Sequence, residues 1–155
     1  MGMFDAFDIS ASGLTAQRYR MDIIAENVAN ANTTRTENGG IYRRKVVTFE
    51  AKGSGTPSFA SMLSTSSQGM TGMSNAIGEG VRISSVTEDH TTEMNKVYDP
   101  SNPDADDSGY VTYPNVNIIT EMTNLIDATR AYEANATALS ASKSMAVQGL
   151  NIGKG

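Results

Sequence analysis

Residues Asp22–Thr36 read DIIAENVANANTTRT, and their reading decides where the first helical part of the chain ends. Ile23, Ile24 and Val28 continue a helical pattern, yet Asn27, Asn30 and Asn32 fall within its last two turns. Asparagine suits a helix interior poorly, because its side chain competes for the backbone's hydrogen bonds. Asn32 is therefore read as the helix end, in the left-handed conformation that asparagine tolerates. Asn27 lies well inside the pattern and is read differently. A buried amide at a helix seam offers donors and acceptors at fixed points and sets register. Asn30 is placed with that interface, a helix-ending role being its alternative.

Outward from this stretch, Phe7, Leu14, Met21 and Val28 recur every seven residues, and Ala11, Ile24 and Ala25 widen the stripe. The pattern predicts a helix from Phe4 to about Ala31, about 40 Å long at 1.5 Å per residue. A second long helix is predicted near the other end. Its seam runs through Ile118, Met122, Leu125, Thr129, Tyr132 and Ala136, then Leu139, Lys143, Ala146 and Leu150 in steps of four and three. Pro114 in YPNV (Tyr113–Val116) biases Tyr113 away from helix and marks the entry. NIGKG is a glycine-ended exit. Asn135 is the counterpart of Asn27 on this helix. Candidate interface residues are thus Leu14, Met21, Ile24, Asn27, Val28, Asn30, Met122, Leu125, Tyr132, Asn135 and Leu139.

The middle of the chain is different material. Tyr42–Phe49 (YRRKVVTF) is rich in β-branched and aromatic residues and predicts a strand. Val81–Glu88 (VRISSVTE) alternates until Ser84-Ser85 breaks the phase, which predicts a bulge. Thr92–Asp99 (TEMNKVYD) is read as its antiparallel partner. Residues 53–78 carry no charge and consist mostly of Ser, Gly and Thr, as in a flexible loop. Phe59, Met62, Leu63, Met70 and Met73 would let that loop bury something against a partner. The fold class expected is α+β. Helical segments 1–36 and 114–155 form one discontinuous, coiled-coil-like domain, and residues 37–113 form a small β-rich domain that includes the loop.

Composition narrows the function. The 155 residues include no cysteine, so disulfides and thiolate metal sites are excluded. The net charge of −5 argues against nucleic acid, which requires a coherent basic face. No apolar run approaches the roughly 18 residues of a membrane span. MGMFDAFDIS carries acidic residues where a cleaved signal peptide needs basic ones.

Signals for chemistry are weak. His90 is the only histidine and lies in a turn, TEDHTTE, where an exposed side chain without a catalytic role is expected. Asp104, Asp106, Ser108 and Gly109 match the start of a calcium loop. Its twelfth position is Asn115 rather than Glu, however, and Pro100 and Pro103 disfavour an entering helix. No cofactor, metal or catalytic residue is assigned, and an enzyme is not expected.

The helical stripes could simply be core. Two helices of roughly 30 residues, packed only on each other, would leave much of their apolar surface uncovered, and the central region is too poor in large apolar residues to cover it. Burial against other subunits is the expectation. The rival reading is a self-contained helical-hairpin binding module, with or without tuning by calcium, that folds alone when dilute.

Ser12–Thr36 (SGLTAQRYRMDIIAENVANANTTRT) resembles the N-terminal signature of the flagellar axial proteins, the rod and hook family. Gly109–Met145 resembles the C-terminal helix of the proximal-rod members of that family, as do YRRK after GG and VYDPSNPDADDSGYV. The resemblance covers both ends and most of the middle, and is least diagnostic over 53–78. It implies a structural subunit of the proximal rod of the bacterial flagellar basal body, part of the driveshaft that transmits motor torque across the periplasm. It implies export through the flagellar type III apparatus without a cleaved signal peptide. It also implies contacts with copies of itself and with other proximal and distal rod proteins, without membrane insertion. The terminal helices would form the inner tube and fold on assembly, with residual structure in the isolated chain confined to about Gly40–Tyr113.

Overall fold

The computed structural model describes residues 3–37, 39–52 and 80–153. The expectations for Phe59, Met62, Leu63, Met70 and Met73 lie outside the described residues. The element order is α1 (Met3–Ala29), β1 (Lys45–Ala51), β2 (Val81–Glu88), β3 (Asn95–Tyr98), β4 (Tyr110–Tyr113) and α2 (Ile118–Ile152). The two long helices and two small antiparallel sheets give the α+β class that the sequence predicts.

α1 packs on α2 and also touches both strands of the first sheet. The helices run antiparallel: Asn27 meets Glu121 near one end, and Gly13 faces Asn135 towards the other. Small residues allow the close approach. A β-carbon on Gly13 would lie 2.8 Å from the Asn135 carboxamide oxygen. Ala16, Ile24 and Ala128 are buried, whereas Ala11 and Ala25 are exposed and do not widen the contact stripe.

α1 ends without a left-handed residue. Among the described residues no non-glycine has a positive φ, so Asn32 does not adopt the conformation expected of it. Asn30 takes the role instead. Its Nδ2 donates to the Glu26 carbonyl at 2.9 Å, and its Oδ1 accepts from the Thr33 hydroxyl at 3.1 Å. Both bonds are local to the helix end, where the Glu26 carbonyl also accepts from the Asn30 amide at 3.1 Å. At the start of α2 the cap is Asn117, not the Pro114 region. Its extended backbone lets the side chain accept from the amides of Ile119 (3.0 Å) and Thr120 (3.2 Å).

β1 pairs with β2, and the register shifts between Thr48 and Phe49, leaving Ser84 as the extra residue. The bulge is where the sequence phase breaks. The expected pairing of Thr92–Asp99 with β2 does not occur. β3 pairs with β4, joined through the Asp99–Gly109 turn, where Gly109 has φ +79°. Two causes are visible. β1 already occupies an edge of β2, and the Asp89 carboxylate folds the chain after it. Asp89 accepts from the amides and hydroxyls of both Thr91 and Thr92. Those four donors hold its carboxyl well below the usual carboxylate range. The turn is thus stabilised above the ordinary aspartate pKa and loses that support as pH falls below it.

The acidic turn is similarly built from its own carboxylates. Asp106 accepts from the amides of Ser108 and Tyr110, Asp99 from Ser101, and Asp104 from the Thr34 hydroxyl at 2.7 Å. Asn115, at the twelfth position of the calcium pattern, is buried and turned towards β1. Among the described residues no helix is long and apolar enough to cross a membrane.

The pairing of the helices loosens towards the end of α2. α2 fully buries just Glu121 and Ala128, and Met145, Leu150 and Ile152 are exposed. The expectation of terminal helices folding only on assembly therefore becomes a graded one. Hydrogen exchange on the dilute chain should be slowest over Ile24–Val28 and Leu125–Tyr132 and fast beyond about Lys143, since local stability follows local burial. Fast exchange along both helices, with protection only in the strands, would restore the assembly-coupled reading.

Candidate functional site

The first-turn region of α2, the end of α1 and the entry to β1 meet around one amide. Asn27 is 1% exposed, and its side chain makes four hydrogen bonds. Oδ1 accepts from the Tyr42 hydroxyl (2.9 Å) and the Lys45 amide (2.8 Å). Nδ2 donates to the Lys45 carbonyl (2.9 Å) and to Glu121 Oε2 (3.1 Å). A carboxamide has two donors and two acceptor positions, so this one is saturated.

Glu121, also 1% exposed, is the second hub. Arg44 approaches Oε1 with Nε at 2.9 Å and Nη2 at 2.8 Å, and its Nη1 lies 3.9 Å from Asp89. The acid also sits in the first turn of α2, where the helix dipole favours negative charge. Asn115 extends the network: its Oδ1 accepts from the Arg44 amide, and its Nδ2 donates to the carbonyls of Asp89 and Thr92. Lys45 pairs with Glu26. The result is a buried polar knot that ties both helices to the first sheet and to the turn after β2.

Tyr42 reports on that knot. Burial, and then the carboxylates of Glu26, Glu121 and Glu88, push its phenol up to about 12. A raised acid pKa means the neutral form is favoured in the fold. The stabilisation is complete below about 10 and lost as pH rises from there towards 12. Ultraviolet titration should show a late-ionising tyrosine component that Tyr42→Phe removes. A titration curve whose late part is unchanged by that substitution would mean the phenol is solvated.

The sequence-predicted interface residues divide into groups. Ile24 is buried, and Leu14, Met21, Val28, Leu125, Tyr132, Asn135 and Leu139 are half-buried between the helices or beside them. The Thr129 hydroxyl, which donates to the Leu125 carbonyl at 2.8 Å, lies 3.5 Å from the Met21 sulfur. Asn30 is a helix-end residue, and Met122 is 55% exposed. Asn135 donates to the Ala131 carbonyl of its own helix. Asn27 was read as a group for a neighbouring subunit, but its bonds are filled within the chain. Asn27→Leu is accordingly expected to destabilise the isolated chain by about 3 kcal/mol, because several buried partners lose a bond. A loss of assembly at unchanged stability would return Asn27 to the intersubunit reading.

Sequence reasoning missed Glu121, Arg44, Tyr42 and Asn115. The heptad count placed the seam on Ile118 and Met122, one position from Glu121. A lone acid in the first turn of α2 was the available signal, but nothing local pointed from it to Arg44. His90, by contrast, is exposed as expected and lies 3.8 Å from Glu88.

Among the described residues no three His, Asp or Glu side chains converge as a metal site would require. What the arrangement does is mechanical: it fixes the angle between a helical hairpin and the sheet beside it.

Comparison with known proteins agrees with this layout. Residues 7–35 match the flagella basal body rod protein family, and residues 107–152 match the C-terminal family of the flagellar basal body rod FlgEFG proteins. The flagellar basal-body rod protein FlgC of Bacillus subtilis is 48% identical over 99% of this chain and its own full length. That of Borreliella burgdorferi is 40% identical over the full length of both, and that of Salmonella typhimurium 37% identical over 99% of this chain and all of its own. With identities of this size along the whole chain, it belongs to the family of flagellar basal-body rod proteins FlgC.

Proposed function

We propose that the chain is a structural subunit of the proximal part of the flagellar rod and carries motor torque. Membership of the family already makes it a structural component of the basal-body rod; the proximal position and the torque-bearing role are the reading advanced here. One observation carries it: the hairpin is a single layer. Over the 35 residues of α2 only two side chains are buried, so most of the helix is open to other chains. A lone hairpin with that much open surface is expected to be completed by neighbours.

In this reading residues 1–36 and 114–155 belong to the inner tube and 37–113 to an outer part. Torque entering through one would reach the other through the Asn27–Glu121–Arg44 knot, a short path of buried bonds. Neighbours would include copies of the chain and other proximal and distal rod proteins, after export through the flagellar type III apparatus into the periplasm.

The test is direct. Deleting the chain should stop swimming and leave no assembled rod, and the chain should be present in purified basal bodies. Normal swimming after deletion would end this reading.

A further inference from the structure

The sheet of β3 and β4 stands apart from the rest of the fold. Among the described residues neither strand packs on a helix or on the first sheet. The Thr34–Asp104 bond ties its turn to the loop after α1. A two-stranded ribbon is marginal by itself and gains from a further layer. On its inner face Val111 is fully buried, yet all four residues of β3 are exposed.

The other face carries Tyr98 and Tyr110, opposite each other in the register. Their rings meet edge to face with centroids 5.2 Å apart, and the residues are 64% and 44% exposed. Along the chain they are flanked by Glu93, Asp99, Asp104, Asp106 and Asp107, against one cation, Lys96. Among the described residues none of those five carboxylates forms an ion pair, and no cation lies over either ring. Asp99, Asp104 and Asp106 are nonetheless held in place by bonds from Ser101, Thr34 and Ser108. Open tyrosine rings beside fixed, unneutralised carboxylates suit a surface that presents arginine, which pairs with the acids and stacks on the rings.

The chain itself carries such a surface. Residues 33–52 hold five basic and two acidic side chains. Arg44 and Lys45 are committed to Glu121 and Glu26. Lys52 lies beyond β1, which leaves Arg35 and Arg43 before it. Among the described residues neither has a hydrogen-bond or ion-pair partner for its guanidinium. Arg35 directly follows Thr34, whose hydroxyl reaches Asp104, yet Arg35 pairs with no carboxylate of its own chain. The fold thus brings the acidic and basic stretches close together and leaves both unneutralised.

We propose that the outer face of the β3–β4 sheet, with Tyr98, Tyr110 and the flanking carboxylates, docks on Arg35 and Arg43 of a second copy of this chain. The inference rests on the reading of the chain as an assembled subunit. It names a contact made by the outer part of the chain and not by its helices. Opposite charges select the register of such a contact, because like charges brought together there are penalised.

Two charge-reversed chains test it. One carries Glu93→Lys and Asp107→Lys, the other Arg35→Glu and Arg43→Glu. None of these four side chains has a partner among the described residues, so the changes remove no bond of the fold. Each variant alone, in a strain without the original chain, should be incorporated into basal bodies about tenfold less. Expressed together, the reversed sheet of one meets the reversed bases of the other, and incorporation should return to within about twofold of the original. That recovery requires two chains to touch, so charge balance within one chain cannot produce it. Full incorporation of either variant alone overturns the proposal. So does a loss that the mixture fails to recover, which would give the sheet to another protein. If a variant does not fold, differently tagged Asp107→Cys and Arg43→Cys chains replace it, since the chain has no other cysteine. Mild oxidation of basal bodies containing both should give a disulfide-linked pair carrying both tags, and its absence overturns the proposal. None of these results touches the rod-subunit reading, which fails only if the original chain is absent from basal bodies or dispensable for swimming.

Discussion

Glu121→Ala should cost the isolated chain about 3 kcal/mol, near the lower end of what breaking a buried ion pair costs. The carboxylate is 1% exposed and receives two bonds from Arg44, one from Asn27 and a longer one from Asn124. Truncation leaves a guanidinium and two amide N–H groups facing an empty space. The Arg44 side chain is 26% exposed, so water recovers part of the loss, which is why the lower end applies. Against a typical net stability of about 5–15 kcal/mol, this is a large fraction. Glu121→Gln keeps the shape and one acceptor and should cost about half as much. Urea denaturation of the three proteins measures the difference. A loss below about 1 kcal/mol for the alanine variant would show that the pair is not a structural hub.

Gly80→Ala should have a comparable effect for a different reason. Gly80 has φ +103°, where a residue with a side chain is strained by about 1–3 kcal/mol. A β-carbon there would also lie 2.2 Å from the Ser12 hydroxyl oxygen and 3.3 Å from the Ile9 Cα. Ser12 cannot simply rotate away. Its hydroxyl donates to the Ile9 carbonyl at 2.7 Å and accepts from the Val81 amide at 3.0 Å, which fixes the start of β2 on α1. Losing both bonds adds about 1 kcal/mol each, so about 3 kcal/mol or more is expected in total. Gly39→Ala is the control. Gly39 has φ +79° with nothing within 4 Å of the added carbon, so only the strain applies. If the clash matters, Ser12→Ala with Gly80→Ala should cost less than the sum of the singles. Equal losses at Gly39 and Gly80 would reduce the effect to backbone strain alone.

The sequence by itself determined what depends on local periodicity and local chemistry. Apolar residues at helical spacing located both long helices to within a few residues. The phase break at Ser84-Ser85 located the bulge, because alternation in a strand has a fixed period of two. The family signature was also legible, since it consists of short ordered blocks at the two ends. Tertiary structure decided everything that requires two distant segments to meet. Whether β2 pairs with 92–99 or with β1 depends on the competition between strands and on the turn held by Asp89. The role of Asn27 depends on Tyr42 and Lys45, which lie 15 and 18 residues on, and on Glu121, 94 residues away. A helical pattern shows that an amide stands on the inner face of α1. It does not show which carboxylate stands opposite, because that choice is made by the crossing of the two helices, where the small residues Gly13, Ala16 and Ala128 let the backbones come close.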